Sequence, residues 1–294
     1  MSGPVTPAAV GLDATCESVA TPAGDLQVVR AGAGPPVVLL HGFPEGWYGW
    51  RRVIAPLAAA GLRVHAVEQR GYPLSAKPDA VAAYHLDRLV ADVRRAVAAA
   101  DAGPVHLVGH DWGGVVAWAT AAAHPALCAS LTVLNAPHPR AFRRHLRRSP
   151  TQWARSWYMG AFQLPWLPER AAAVDGYRRL AARLRADARP GAFTAEALRW
   201  YRRGWAHDGA LGSMIDWYRA AGRARPRLAA PQVTVPTQVL WGRDDRYLDV
   251  DLAAASAAYC DDASVRLLDA THWVVHEQPA AVVRSLEQHI AAVD

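Results

Sequence analysis

The sequence predicts an α/β fold, with a mostly parallel central sheet, helices on both faces and one helical insertion. Three observations predict it. Short apolar runs alternate with helical patterns through both ends of the chain. Those runs are continuous rather than alternating, as in Val37-Val38-Leu39-Leu40, which suits strands covered on both sides. The alternation stops after about residue 140 and resumes at 237.

Each element follows from its residues. Residues 37–41 read as a strand ending at His-Gly, and 63–69 as the next. Residues 87–100 carry apolar side chains at helical spacing. A strand at 105–111 leads into an alanine-rich helix from Gly113, and 130–135 is another strand. From about 140 to about 230 the chain is rich in Arg, Trp, Tyr and Ala and has no clear strand. Strands at 237–241 and 264–268 and a helix over 280–293 complete the pattern. The expected division is a core from 1–140 and 231–294 and a helical cap from 141–230. Such a cap would lie over the carboxyl ends of the strands, where open α/β sheets hold ligands.

Composition narrows the function. The 294 residues suffice for one large domain with an insertion, and 52% are apolar, which argues against disorder. No apolar stretch approaches the roughly 20 residues of a membrane span, and residues 1–10 lack the basic start and apolar middle of a secretory leader. A cytoplasmic protein with no membrane partner is the expectation. Cys16, Cys128 and Cys260 lie far apart and form no ligand pair, so reduced, buried thiols and no metal are expected. The net charge of +6 is arginine excess, with Lys77 the one lysine. The arginines crowd 140–227 without a nucleic-acid motif, so nucleic acid is not an expected partner. No Gly-rich phosphate loop follows a strand, so no cofactor is expected. Assembly is left open, with a homodimer as one outcome.

The stretch Val108-Gly109-His110-Asp111-Trp112-Gly113-Gly114 carries the most chemistry. Glycines two positions either side of Asp111 are the spacing of a nucleophile elbow, a sharp strand-to-helix turn that lifts one side chain above the sheet. A plain helix N-cap would leave the paired glycines unexplained. A carboxylate at the elbow is ionised at neutral pH and can attack a saturated carbon without a base, leaving an ester. Asp245, in Gly242-Arg243-Asp244-Asp245, follows a strand, and so does His272. The order nucleophile, acid, histidine is that of a hydrolase triad on an α/β sheet. Asp244 competes with Asp245 and His276 with His272. Asp245 is favoured by its spacing from the glycine. His272 is favoured by its place directly after the strand, and His276 reads as a surface or packing residue. The turn His41-Gly42-Phe43-Pro44 can aim the Phe43 N–H at the elbow, where with the Trp112 N–H it would form an oxyanion hole.

His41-Gly42-Phe43-Pro44-Glu45, followed by Trp47, Tyr48, Trp50 and Arg51, resembles the opening motif of the epoxide hydrolases of the α/β-hydrolase superfamily. Gly109-His110-Asp111-Trp112-Gly113-Gly114 resembles their nucleophile motif. Ser156-Trp157-Tyr158-Met159 and Gly209-Ala210-Leu211, leading to Asp216-Trp217-Tyr218-Arg219, resemble their two lid tyrosine segments. The likeness runs from about Val37 to Ala280. It implies an α/β-hydrolase fold acting on a small epoxide and water. Asp111 would be the nucleophile, Asp245 and His272 its charge partners, and Tyr158 and Tyr218 the ring-opening acids. His41, Pro44, Trp112, Trp157, Trp217 and Trp273 are the candidate pocket residues. Tyr201 mimics the second tyrosine motif but lacks the preceding Gly-Ala-Leu, so it reads as lid packing. Glu68 stands where the family more often has Asp, and the loop 68–73 departs from its pattern.

The tyrosines suit an epoxide because ring opening releases a basic alkoxide that needs a proton. Two other readings use the same residues. A haloalkane dehalogenase would share the Asp elbow, but a halide needs no proton. Those families also tend to place Asn at the Phe43 position or Arg at the Trp112 position. A non-catalytic binding protein would leave the full set of charged groups without a task.

Overall fold

The apolar runs form strands in the computed structural model, which describes residues 5–100, 103–223 and 232–293. The start of the segment read for a leader (residues 1–4) and the expected cap boundary at 230–231 lie outside the described residues. Eight strands make one sheet: β1 Thr15–Val19, β2 Leu26–Ala31, β3 Pro36–Leu40, β4 Arg63–Glu68, β5 Val105–His110, β6 Cys128–Leu134, β7 Thr237–Gly242 and β8 Ala263–Leu268. Their spatial order is β1-β2-β4-β3-β5-β6-β7-β8. β3 through β8 pair parallel, with β4 beside β3. β1 and β2 pair antiparallel with each other, and β2 pairs antiparallel with β4.

The antiparallel edge is an addition to what the sequence predicted, since no strand was read before residue 37. Its outer strand is mostly exposed, so it lacks the continuous apolar signature of the centre. By contrast every residue of β3 and β5 is buried. Each fully buried Val or Leu there contributes about 1.5–3 kcal/mol relative to exposure.

Helices α1 Arg51–Ala59, α2 Leu86–Ala99 and α3 Trp112–Ala123 connect the central strands. Among the described residues between β6 and β7 lie seven more: α4 Pro139–Leu146, α5 Pro150–Arg155, α6 Trp157–Ala161, α7 Leu167–Ala173, α8 Arg178–Asp187, α9 Ala195–Trp205 and α10 Ala210–Arg223. α11 Asp251–Ala257, α12 Val274–Glu277 and α13 Pro279–Ala291 complete the fold. α1 packs with α13, and α2 with α3, covering the sheet. No helix among the described residues is long and apolar enough to cross a membrane. The cysteines are free, but only Cys128 is buried; Cys16 is exposed and Cys260 half-buried, against the expectation of three buried thiols.

The helices between β6 and β7 meet the core through hydrogen bonds to strand-end loops. The Trp205 indole donates to the Pro44 carbonyl at 2.7 Å. The Trp217 indole donates to the Arg70 carbonyl at 3.0 Å. Arg189, between α8 and α9, pairs with Asp244 at 2.8 Å and Asp269 at 2.5 Å. These contacts fall after β3, β4, β7 and β8, so one end of the sheet carries them all.

Candidate active site

Asp111 stands between β5 and α3 with φ 50° and ψ −123°, a positive φ that non-glycine residues rarely adopt. It occupies the N-cap position, yet its side chain caps nothing. The carboxylate is therefore free for other partners, which separates an elbow from an ordinary helix start. The flanking glycines are steric requirements. A Cβ on Gly109 would fall 2.4 Å from the Gly113 carbonyl oxygen, and one on Gly113 would fall 2.2 Å from that of Leu40. The Phe43 N–H, in the turn after β3, donates to Asp111 Oδ1 at 2.8 Å. The Phe43–Pro44 peptide is cis. Trp112 follows Asp111 as the first residue of α3.

His272, after β8, brings its Nε2 to 3.5 Å from Asp111 Oδ2. Its Nδ1 is 2.8 Å from Asp245 Oδ2. Asp245 is buried and also accepts from Asn135 Nδ2 at 2.6 Å and from the N–H groups of Tyr247 at 2.8 Å and Leu248 at 3.0 Å. Asp244 faces outward to Arg189, so the two adjacent aspartates occupy different environments. Burial disfavours the His272 cation, but the charges of Asp245 and Asp111 outweigh it and raise its pKa to about 10. Burial would likewise raise Asp111. The hydrogen bond and charge of His272, with His110 and the Phe43 N–H, hold it below the usual carboxylate range.

Tyr158 of α6 and Tyr218 of α10 have ring centroids 5.9 Å apart. Burial and the Asp111 charge push the Tyr158 phenol well above its ordinary value. Burial, Tyr158 and Asp111 do the same for Tyr218. Both phenols therefore keep their protons at neutral pH. Tyr218 meets the edges of Trp112 at 5.0 Å and Phe43 at 5.1 Å.

The other candidate pocket residues divide. Trp112 contacts Trp217, and Trp273 lies against His272. His41 and Pro44 are buried at the turn, and the His41 Nε2 accepts from the Gln69 N–H at 3.0 Å. Trp157 departs from expectation: it is 71% exposed. His276 is no surface residue. It is buried, and its Nε2 bonds to Glu45 Oε1. Tyr201 packs as expected but also donates to Glu45 at 2.9 Å.

Several residues near the site went unread in the sequence. Glu45 is buried, and His276 and His110 hold its pKa well below the usual range against the effect of burial. The His110 Nε2 in turn lies 2.9 Å from the His272 carbonyl. Asn135, at φ 43°, bridges Asp245 and the Gly242 N–H. Its place at the end of a strand, two residues before a proline, was the available signal. Phe162 touches Phe43, Tyr158 and Tyr218, and Tyr247 stands between Tyr158 and His272.

A family model described as the alpha/beta hydrolase fold matches residues 35–279. The AB hydrolase superfamily protein YfhM of Bacillus subtilis is 38% identical over 278 residues, covering 94% of this chain and 97% of that protein. Human epoxide hydrolase 4 is 34% identical over 255 residues, covering 84% of this chain and 70% of the relative. The crystal structure of Bacillus megaterium epoxide hydrolase with an inhibitor superposes with a TM-score of 0.85 at 27% identity, covering 94% of this chain and 100% of that one.

Proposed function

The chain belongs to the epoxide hydrolases of the α/β-hydrolase superfamily, and from that premise we propose that it opens an epoxide to a vicinal diol through an ester on Asp111. The observation that carries this reading is a free elbow carboxylate, held by the Phe43 N–H, in a site that also presents two protonated phenols. A halide would need no such acids. The helices α4 to α10 act as the cap that holds the phenols over the strand ends.

In the first step an Asp111 oxygen attacks a ring carbon. The C–O bond breaks, and its electron pair passes to the ring oxygen, which takes a proton from Tyr158 or Tyr218. The protonated His272 restores that proton to the phenolate and becomes neutral. Esterification removes one of the two charges that raise the His272 pKa, so the imidazole is then fit to act as a base. In the second step His272, oriented by Asp245, takes a proton from water. The hydroxide adds to the ester carbonyl carbon, and the Phe43 and Trp112 N–H groups receive the oxyanion. Losing one such donor typically costs about 2.7–4 kcal/mol. The adduct expels the diol alkoxide, which takes the proton from the hydroxyl left on Asp111. The charges return to their starting state. Cys16, Cys128 and Cys260, all free, suit the reducing cytosol in which this reading places the enzyme.

Terminal and internal epoxides provide the test. The wild type should release diol, and freshly prepared D111N should release none. H272Q should accumulate a covalent adduct equal in mass to the epoxide. Equal turnover by D111N, or an unmodified H272Q beside an active wild type, contradicts the scheme.

A further inference from the structure

The two phenols sit on helices of very different strength. Tyr218 belongs to the 14-residue α10, whereas Tyr158 belongs to α6, which has five residues. A helix that short has no stability of its own, so tertiary contacts must fix where Tyr158 stands.

Those contacts converge on the residue after Tyr218. Arg219 is 7% exposed. Its Nε donates to the Phe162 carbonyl at 3.1 Å and its Nη2 to the Leu164 carbonyl at 2.7 Å. Both carbonyls lie just past the end of α6, where helix geometry supplies no partner. The charge is balanced by Glu169 at 2.6 Å and Asp216 at 3.0 Å. Gln163, between the two clamped carbonyls, reaches the other way. Its Nε2 donates to the Tyr218 carbonyl at 2.9 Å and to the Met159 carbonyl at 3.2 Å. It rests on α10 over Gly222, where a Cβ would come within 2.7 Å of its Oε1. The two side chains thus cross-link the short helix to the long one on both sides of Phe162, which contacts both tyrosine rings.

We propose that Arg219 and Gln163 are positioning residues that set the separation of the Tyr158 and Tyr218 hydroxyls, and so govern ring opening rather than ester hydrolysis. The inference rests on the reading of Asp111 and the phenols given above. Arginine is required because its planar fork spans two carbonyls and two carboxylates at once; the point charge of lysine cannot. A misplacement of about 1 Å can cost on the order of a hundredfold in rate.

The test separates the two steps. Ester formation is timed by intact mass in the H272Q background, alone and combined with R219K or Q163M. Hydrolysis of preformed ester is timed in the His272-containing R219K and Q163M enzymes. The substrates are 1,2-epoxypropane and its 3,3,3-trifluoro analogue, equal in chain length but releasing a less basic alkoxide. Both variants should slow ester formation from 1,2-epoxypropane by about tenfold or more. The trifluoro substrate should recover part of that loss, and hydrolysis should change less than about twofold. Unchanged ester formation, or an equal slowing of both steps without rescue, overturns the proposal and leaves the contacts a purely structural role. Q163M keeps the buried charge network intact and carries the test alone if R219K fails to fold. If H272Q itself forms no ester, the parent reading fails, and this inference with it.

Discussion

Asp111 and Glu68 show how burial can be used in opposite ways on two carboxylates. Asp111 is kept ionised by His272 and an N–H donor, as the proposed nucleophile requires. Glu68, at the end of β4, has only the Trp47 and Leu74 N–H groups and the partly buried Lys77 to offset burial, and its pKa is pushed up to about 7. The folded chain therefore holds this proton between pH values of about 4.5 and 7, where the unfolded chain has lost it. By linkage its contribution to stability falls as pH rises through that window. E68Q mimics the protonated form, so its Tm should rise relative to wild type on going from pH 5 to pH 8. Each kcal/mol of the difference should appear as roughly 2–4 °C. A Tm gap that is the same at both pH values would show that Glu68 does not titrate in this way. The residue-scale chemistry was partly legible in the sequence. That Asp111, Asp245 and His272 come together could be foreseen because each follows a strand on the same side of a parallel sheet. The Glu45 cluster could not, because its partners Tyr201 and His276 lie 156 and 231 positions away and only the folded chain brings them together.

Among the elements, the turn from β5 to α3 is the most constrained. Its glycines are set by backbone, not side-chain, neighbours: Gly113 faces the Leu40 carbonyl of β3, and that contact cannot be relieved by a rotamer change. G113A should destabilise the fold by about 2–3 kcal/mol or more, read as a shifted urea midpoint at constant slope. A midpoint equal to the wild type would show that the elbow has slack. The central strands and α2, α3 and α13 were legible to within a few residues, because burial on both faces leaves unbroken apolar runs. The β1–β2 hairpin was missed although Thr21-Pro22-Ala23-Gly24 is a turn sequence, since β1 is largely exposed and carries no apolar pattern. The helices between β6 and β7 were foreseen as helical but not individually. α5, α6 and α7 are one to two turns each, too short for a period to declare itself, and their boundaries depend on contacts such as those of Arg219.

At the scale of the molecule, the sheet gathers loops from distant parts of the sequence at one end, and the inserted helices bring two phenols to the same place. The division of labour follows from that topology. In the proposed scheme the core supplies nucleophile, base and oxyanion donors at strand ends, and the insertion supplies acids. Trp157 marks the limit of pattern reading at this scale. It belongs to a tyrosine motif, yet one step along a short helix separates a site residue from a side chain 71% exposed. The central claim is that the carboxylate of Asp111, not water, bonds to the epoxide. A single turnover with enzyme in excess over epoxide, run in H₂¹⁸O, tests it most directly. The claim predicts unlabelled diol from that first cycle and one heavy oxygen retained in the peptide containing Asp111. Diol carrying ¹⁸O after the first cycle, with an unlabelled Asp111, would contradict it.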